Sequence, residues 1–279
     1  MIPGFSHSIS LPMSPRWRAK TAYHARSVSL PCRSHPVIAN LQEQVGAVRS
    51  WAADGDDSLA WIEDGLSQVD LLLSTVNDFL NLSEAQTVLQ CATSSTECLL
   101  ENFLYLVDSF GSLLSDLVTL TQHQFEVQSA LRRHDSALLA SSLKSQKRIE
   151  KDLSHLAASL HAATKSLSLT LASSDASEDE IVRFFKEAIG ATSAASVVLI
   201  NRVAAILSAA ASTAAASSAL CAIRPFKKKI SNVEKEMLIY LRFEELEECV
   251  SVVESGSQRV LRRLMNSRVL LLNIQSNSF

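Results

Sequence analysis

Proline and glycine are scarce in this sequence, and proline is nearly confined to its start. Five of the six prolines lie in the first 36 residues, the sixth is Pro225, and the seven glycines occur singly. A proline inside a helix removes a hydrogen-bond donor and clashes with the preceding turn. The proline-free stretch 37–224 therefore permits long, uninterrupted helices. Sparse β-branched and aromatic residues, with no hairpin turn between alternating strands, argue against sheets.

Signatures of common catalytic and cofactor sites are also missing. No segment matches the dinucleotide-binding, P-loop, zinc-protease or serine-hydrolase patterns. His155 and His161 are six residues apart, so on a helix they point about 120° away from each other. Adjacent carboxylates such as Glu247 and Glu248 do not face each other on a helix. We therefore predict no catalytic, cofactor or metal-binding residues and a non-enzymatic role. An enzyme with a site assembled from distant residues is the alternative.

Cysteine usage and the first residues indicate the compartment. The five cysteines are odd in number, dispersed and without CxxC spacing, which is typical of a reducing compartment. Residues 1–30 lack the apolar core of a secretory signal. We therefore expect a cytoplasmic protein. A plastid address is an alternative, because residues 1–42 contain no acidic side chain.

Charge is segregated along the chain although the net charge is only −3. Residues 1–36 carry five basic residues and no acid, whereas residues 37–131 carry fourteen acids and one base, Arg49. Residues 132–168 reverse this, with seven bases against three acids. The pattern favours packing of acidic against basic elements, or an oppositely charged partner, although solvated helix faces explain it equally well. The run Lys227–Lys229 has no interleaved aromatic residues, so we predict no nucleic-acid binding.

From residue 59 onward, apolar residues recur at the helical spacing of three and four. The first series, with Asp56 or Asp57 as the predicted N-cap, contains Leu59, Ile62, Leu66, Val69, Leu73, Val76 and Leu80. Four further series run over 89–120, 149–167, 181–199 and 246–274. Residues 177–180 have a capping-box pattern that predicts the start of the fourth helix. Gly256 interrupts the last series and is a candidate break between two helices.

The connections and flanking composition predict the architecture. Short links at 82–87, 133–136 and 172–178 make consecutive helices antiparallel neighbours. The fold class is therefore predicted as all-α, a bundle of long antiparallel helices over residues 35–279, behind a disordered basic arm, residues 1–34, that is rich in Ser, Pro and Arg. The predicted core includes Leu66, Phe103, Phe110 and Leu156. A homodimer formed through the same seams is the alternative.

Residues 203–223 form an uncharged stretch long enough to cross a bilayer. Ten of these residues are Ala, five are Ser or Thr, and only five are Val, Ile or Leu. Ala and Ser contribute little to insertion, so a small-residue helix packed tightly against its neighbours is the favoured interpretation. Membrane association through this segment, or through the basic arm on anionic lipid, is the alternative.

The arm contains a candidate docking segment, Arg26-Ser27-Val28-Ser29-Leu30-Pro31, with Arg33 two residues beyond it. Phosphorylation of Ser29 would add nearly two negative charges between two arginines. An arginine three residues before a phosphoserine and a proline two after it form the pattern that 14-3-3 proteins favour. A second copy of the core, Ser8–Pro12, has His7 where the arginine should stand. We therefore predict a phosphorylation-dependent docking site for a protein partner, with 14-3-3 as the candidate, formed by Arg26, Ser27, Ser29, Pro31 and Arg33.

Several stretches together resemble a known plant family. They are HARSVSLPCRSHP (24–36), VNDFLNLSEAQTVL (76–89), LVDSFGSLLSDL (106–117), QSALRRHD (128–135) and LRRLMNSRVLLLNIQS (261–276). From residue 23 to its end, the chain resembles the plant-specific BYPASS-related family. It departs from the family pattern at Cys32, where serine is usual, and at Ser109-Phe110, where a small residue and cysteine are common.

The resemblance implies a role in root and shoot development, without an established enzymatic activity or cofactor. It carries over no site residues, because the family pattern includes no characterised site. The resulting prediction is a non-enzymatic interaction or scaffold protein with a regulated docking arm.

Overall fold

The computed structural model describes residues 36–56, 58–133, 135–172, 180–223 and 230–276. Within these ranges all regular structure is α-helical and no strand occurs, which confirms the predicted all-α class. The described helices are α1 (Pro36–Asp54), α2 (Leu59–Leu80), α3 (Ser83–Cys91), α4 (Thr93–Arg133), α5 (Ser136–Ala172), α6 (Glu180–Ile223) and α7 (Ile230–Ser276).

Helices α4 and α5 form an antiparallel pair, as the short connection between them predicted. The hydroxyls of Tyr105 and Ser159 lie 2.6 Å apart, and the Ser142 hydroxyl donates to the Glu126 carboxylate at 3.3 Å. Residue numbers therefore decrease along α5 as they increase along α4, so the two helices run in opposite directions. Asp135 caps the start of α5, since its Oδ1 accepts from the backbone N–H groups two and three residues later, at 3.1 and 3.0 Å.

Helices α2 and α7 lie side by side in the same direction. The Arg263 guanidinium contacts the Asp70 carboxylate at 3.1 Å, and the Ser267 hydroxyl donates to Asn77 Oδ1 at 2.7 Å. Residue numbers rise together on both helices, so the pair is parallel. These two side-chain contacts hold α2 against α7, the last helix of the bundle.

Helix α6 contacts every other described helix. Its buried face combines aromatic residues near the start, where Phe185 stacks on Phe79 of α2 with ring centroids 4.7 Å apart, with small residues further along. Small side chains let neighbouring helices approach closely, and in the part of α6 up to residue 213 the buried alanines are Ala188, Ala191, Ala195, Ala204, Ala210 and Ala211.

Three of the four residues named for the predicted core are buried. Leu66, Phe103 and Phe110 are buried, whereas Leu156 is only partly buried and packs against the edge of the core. Helix α1, which was not among the predicted apolar series, contributes Trp51, whose ring stacks on Trp61 of α2 at 4.3 Å. The Trp51 indole also donates to the Trp61 carbonyl oxygen at 2.9 Å.

The N-cap of α2 is Ser58, so the prediction of Asp56 or Asp57 was wrong. The Ser58 hydroxyl accepts a hydrogen bond from the Trp61 N–H at 3.2 Å. The same hydroxyl donates to the Asp56 carboxylate at 2.7 Å. Asp56 therefore orients the capping residue from two positions upstream.

The predicted connection over 82–87 and the continuous series over 89–120 were also wrong. Helices α2 and α4, which that connection would have made antiparallel neighbours, do not contact each other. Helix α3 occupies residues 83–91, and the chain departs from helical geometry at Ala92, where φ is −92° and ψ is 55°. The buried Thr96 hydroxyl donates to the Leu89 carbonyl at 2.7 Å across this break. A side chain thus replaces the hydrogen bond that a continuous helix would have made.

The predicted break at Gly256 does not occur, because α7 runs without interruption from Ile230 to Ser276. A Cβ atom at this position would lie 2.6 to 3.1 Å from side-chain atoms of Leu66 on α2. Glycine is therefore needed for close approach of two helices. The predicted capping-box residues 177–179 and most of the predicted connection 172–178 lie outside the described residues, and α6 begins at Glu180.

Candidate interaction surfaces

The five residues predicted to form the docking site, Arg26, Ser27, Ser29, Pro31 and Arg33, lie outside the described residues. The description begins at residue 36.

The described histidines of the bundle lie at separate positions on α4 and α5. His155 and His161 are exposed on α5, and His123 on α4 pairs with Glu126 at 3.0 Å. The hydrogen bond from His123 lowers the pKa of the Glu126 carboxyl. Among the residues that the structure describes, no three His, Cys, Asp or Glu side chains are grouped so that they could hold a metal ion.

A cleft of about 430 Å³ lies between α6 and α7, beside the start of α2. Charged side chains from both helices line it. Arg242 and Glu245, one turn apart on α7, form an ion pair at 2.7 Å. The full lining consists of Leu59, Arg202, Ala205, Ile206, Ala209, Arg242, Glu245, Glu248 and Cys249.

The cleft contains a thiol, but the environment does not activate it. Burial raises the pKa of Cys249 to about 11, with partial compensation by the positive charge of Arg202. A thiol with that pKa is protonated at neutral pH and is a poor nucleophile. The cleft is therefore not suited to thiol chemistry. Sequence reasoning missed it, because helices distant in the sequence supply its lining and leave no local motif.

The interface between α2 and α7 contains a buried polar pair. Asn77 and Ser267 are both buried, and the Ser267 hydroxyl also donates to the Arg263 carbonyl at 3.1 Å. The Arg263–Asp70 ion pair lies one turn earlier. These contacts connect the acidic first part of the chain to the arginine-rich end of the last helix and fix the register between them.

The last part of α7 presents an exposed apolar stripe to solvent. Met265, Val269 and Leu272 are 52%, 52% and 40% exposed. Their spacing of four and three places them on one face of the helix. Arg262 and Arg268 lie on either side of that face, about 60° from Met265 at 100° per residue. We call this surface the α7 stripe.

Two described segments are long and apolar enough to cross a membrane, judged by length and composition alone. They are α4, with a window of mean hydropathy 1.4, and Glu180–Thr213 of α6, with a window of mean hydropathy 1.8. Of these windows, 39% and 50% respectively are buried inside the bundle. Core helices of soluble bundles have the same character. The predicted segment 203–223 overlaps only the end of the second one.

These features define the class of the protein, an all-helical bundle with long apolar seams and a surface marked by an exposed stripe on its last helix. The family model for Protein BPS1 matches residues 65–274. The chain therefore belongs to the BPS1 family, which confirms the BYPASS-related resemblance and associates the chain with plant development. No curated protein and no solved structure matches the chain.

Proposed function

We propose that this chain is a non-enzymatic interaction protein that acts in plant root and shoot development, with the helical bundle as its scaffold. The observation that carries the proposal is the α7 stripe. Three large apolar side chains in one row are exposed on a helix whose opposite face is buried in the core. A contiguous exposed apolar surface with a polar rim is typical of a protein-binding site.

The chemistry of the α7 stripe indicates the kind of partner. An amphipathic helix can place its apolar residues against Met265, Val269 and Leu272. The flanking Arg262 and Arg268 then favour acidic residues at the edges of that helix. We therefore propose an acidic amphipathic helix of another protein as the occupant.

A complementation experiment tests this function in the plant. Plants that lack this protein are transformed with the wild-type sequence, with Val269→Glu in the α7 stripe, or with Ser251→Glu at an exposed position about four turns before the stripe. The carboxylate that Val269→Glu introduces would be buried between the α7 stripe and the partner helix, which would disfavour their complex. Root and shoot growth should be restored by the wild type and Ser251→Glu and not by Val269→Glu, at equal protein levels. Restoration by Val269→Glu would contradict the proposal.

The arm supplies regulation in this proposal. Phosphorylation of Ser29, between Arg26 and Arg33, would create a docking signal for 14-3-3 proteins in the cytoplasm. Recruitment through the arm and partner binding through the α7 stripe would then be separate events on one chain. Binding of a Ser29 phosphopeptide to 14-3-3 measures the first event by itself.

Membrane association is the second candidate function, and the apolar window in Glu180–Thr213 of α6 favours it. The bundle would have to open for that helix to enter a bilayer, since α6 contacts all the other described helices. Carbonate extraction of plant membranes separates the two candidates. Recovery of the protein in the soluble fraction supports the scaffold, whereas retention in the pellet supports membrane insertion.

A further inference from the structure

Helix α4 carries a second regular row of residues on the face opposite its buried seam. The row has a spacing of seven, and each member is exposed, with Leu104, Val118 and Phe125 at 39%, 51% and 62%. Its six residues are Glu97, Leu104, Gly111, Val118, Phe125 and Arg132. Between Ser109 and Phe125 the only ionisable side chains are Asp116 and His123, and both are partly buried. We call this surface the α4 row.

Gly111, in the middle of the row, has no function within the described fold. A Cβ atom there would meet nothing within 4 Å, whereas at Gly65 it would clash with Trp51. Glycine weakens a helix relative to alanine, so its use here indicates close approach by something outside the bundle. Gly46 on α1 is equally open, but the residues seven positions away are the small Ala39 and Ala53.

The charges at the two ends of the row are opposite in sign. Glu97 and the exposed Glu101 lie near the start of the helix, and Arg132 and Arg133 lie at its end. The six residues of the row form three pairs that are symmetric about one point, between Leu114 and Ser115. The pairs are Glu97 with Arg132, Leu104 with Phe125, and Gly111 with Val118. When a second copy of the helix is placed antiparallel to the first, the acidic end of each row therefore faces the basic end of the other.

We propose that the chain forms an antiparallel homodimer through the α4 row, with a twofold axis between Leu114 and Ser115. In a symmetric dimer each contact occurs twice. Glu97 then faces the partner's Arg132, Leu104 faces the partner's Phe125, and Gly111 gives space to the partner's Val118. The contact extends over about 50 Å of helix.

The charge pattern selects this arrangement over others. A parallel pair would place Glu97 and Glu101 against the same acids of the other copy, which is unfavourable. A partner other than a second copy would need the same order of acidic, apolar and basic residues along its helix. The inference uses a different surface from the α7 stripe, so it does not rest on the proposed function.

Sedimentation of the purified full chain over a range of concentrations tests the dimer. Val118→Glu should weaken self-association by roughly tenfold or more, because a carboxylate would be buried in the interface one turn from the axis. Ser251→Glu on α7 is the matched control and should leave it unchanged. A chain that is monomeric at all concentrations, or a dimer that Val118→Glu does not weaken, would overturn the proposal. A monomer that binds neutral lipid vesicles through this face would also overturn it.

Two further sets of variants test the orientation of the pair. Glu97→Arg and Arg132→Glu should each weaken the dimer, and the double variant should restore it. Ser115→Cys, next to the axis, should form a disulfide-linked dimer under mild oxidation, whereas Ser154→Cys on the exposed face of α5 should not. No rescue by the double variant and no cross-link at Ser115→Cys would contradict the antiparallel arrangement. These variants change exposed residues, so circular dichroism should show unchanged helix content.

Discussion

Gly256 and Gly46 both lie inside helices, yet the structure gives them opposite environments. A Cβ atom at Gly256 would lie 2.9 Å from the Leu66 Cβ, which cannot move without its backbone, whereas at Gly46 it would meet nothing within 4 Å. Gly256→Ala should therefore lower the free energy of unfolding by about 1–3 kcal/mol through overpacking. Gly46→Ala should raise it by about 0.5–1 kcal/mol, since alanine favours helix. Chemical denaturation measures both, and destabilisation of equal size would contradict this packing.

Asp116 is a residue whose charge opposes folding. Partial burial raises the pKa of its carboxyl, and the nearby carboxylate of Asp152 on α5 raises it further. A carboxyl with a raised pKa in the folded state is most favourable when protonated, so the folded protein loses stability as the pH rises through that pKa. Asp116→Asn should therefore increase the melting temperature at pH 7, and the increase should vanish toward pH 3. An increase that persists at low pH would indicate a different cause.

Ser29 is the residue on which the proposed regulation depends. A peptide spanning residues 23–37 should bind 14-3-3 only when Ser29 is phosphorylated. The matching peptide around Ser10 should bind much less, because His7 is mostly neutral at pH 7 and lacks the guanidinium fork. Calorimetric titration compares the two phosphopeptides. Equal binding of both, or binding without phosphate, would leave the arm as a plain basic segment.

The choice of capping residue shows what residue types alone cannot decide. Asp56, Asp57 and Ser58 are all favourable N-cap residues, and the apolar pattern begins directly after them. The structure selects Ser58 because its hydroxyl reaches the Trp61 N–H while the Asp56 carboxylate accepts its proton. That choice depends on backbone geometry within one turn, which the sequence pattern does not resolve.

The boundary between α3 and α4 is the least predictable feature at the scale of elements. No proline or glycine marks Ala92, and the apolar series continues through it with helical spacing. The buried hydroxyl of Thr96 supports the break through its bond to the Leu89 carbonyl. In contrast, α2 could be predicted from its apolar series alone, since it runs from Leu59 to Leu80.

Thr96→Val tests the role of that hydroxyl. The substitution keeps the shape of the side chain and leaves a buried carbonyl without its donor, which should cost about 1–3 kcal/mol of unfolding free energy. Thr87→Val is the matched control, because the exposed Thr87 hydroxyl donates to the Ser83 carbonyl within its own helix. Thermal denaturation should show a lower midpoint for Thr96→Val only. Equal midpoints would mean that water replaces the lost donor.

In the whole molecule, the sequence predicted the all-α class and the antiparallel pairing of α4 with α5. Helices α2 and α4, also predicted to be antiparallel neighbours, do not contact each other, and the choice of distant partners was not predicted. Short connections determine that α4 and α5 pair, whereas the parallel contact of α2 with α7 depends on Asp70, Asn77, Arg263 and Ser267 meeting across most of the chain. The cleft beside Cys249 and the α7 stripe depend on the same packing. Met265 and Val269 are exposed because no other described helix packs against that face of α7. The spacing of apolar residues in the sequence does not predict which helices pack together.

Proximity labelling in plant cells tests partner recognition through the α7 stripe. The wild-type chain, Val269→Glu and Ser251→Glu are each fused to the same labelling enzyme and expressed at equal levels. The wild type and Ser251→Glu should label a common set of proteins that contain acidic amphipathic helices, and Val269→Glu should lose that set. If Val269→Glu labelled the same set of proteins as the wild type, the α7 stripe would not be the surface that recognises the partner.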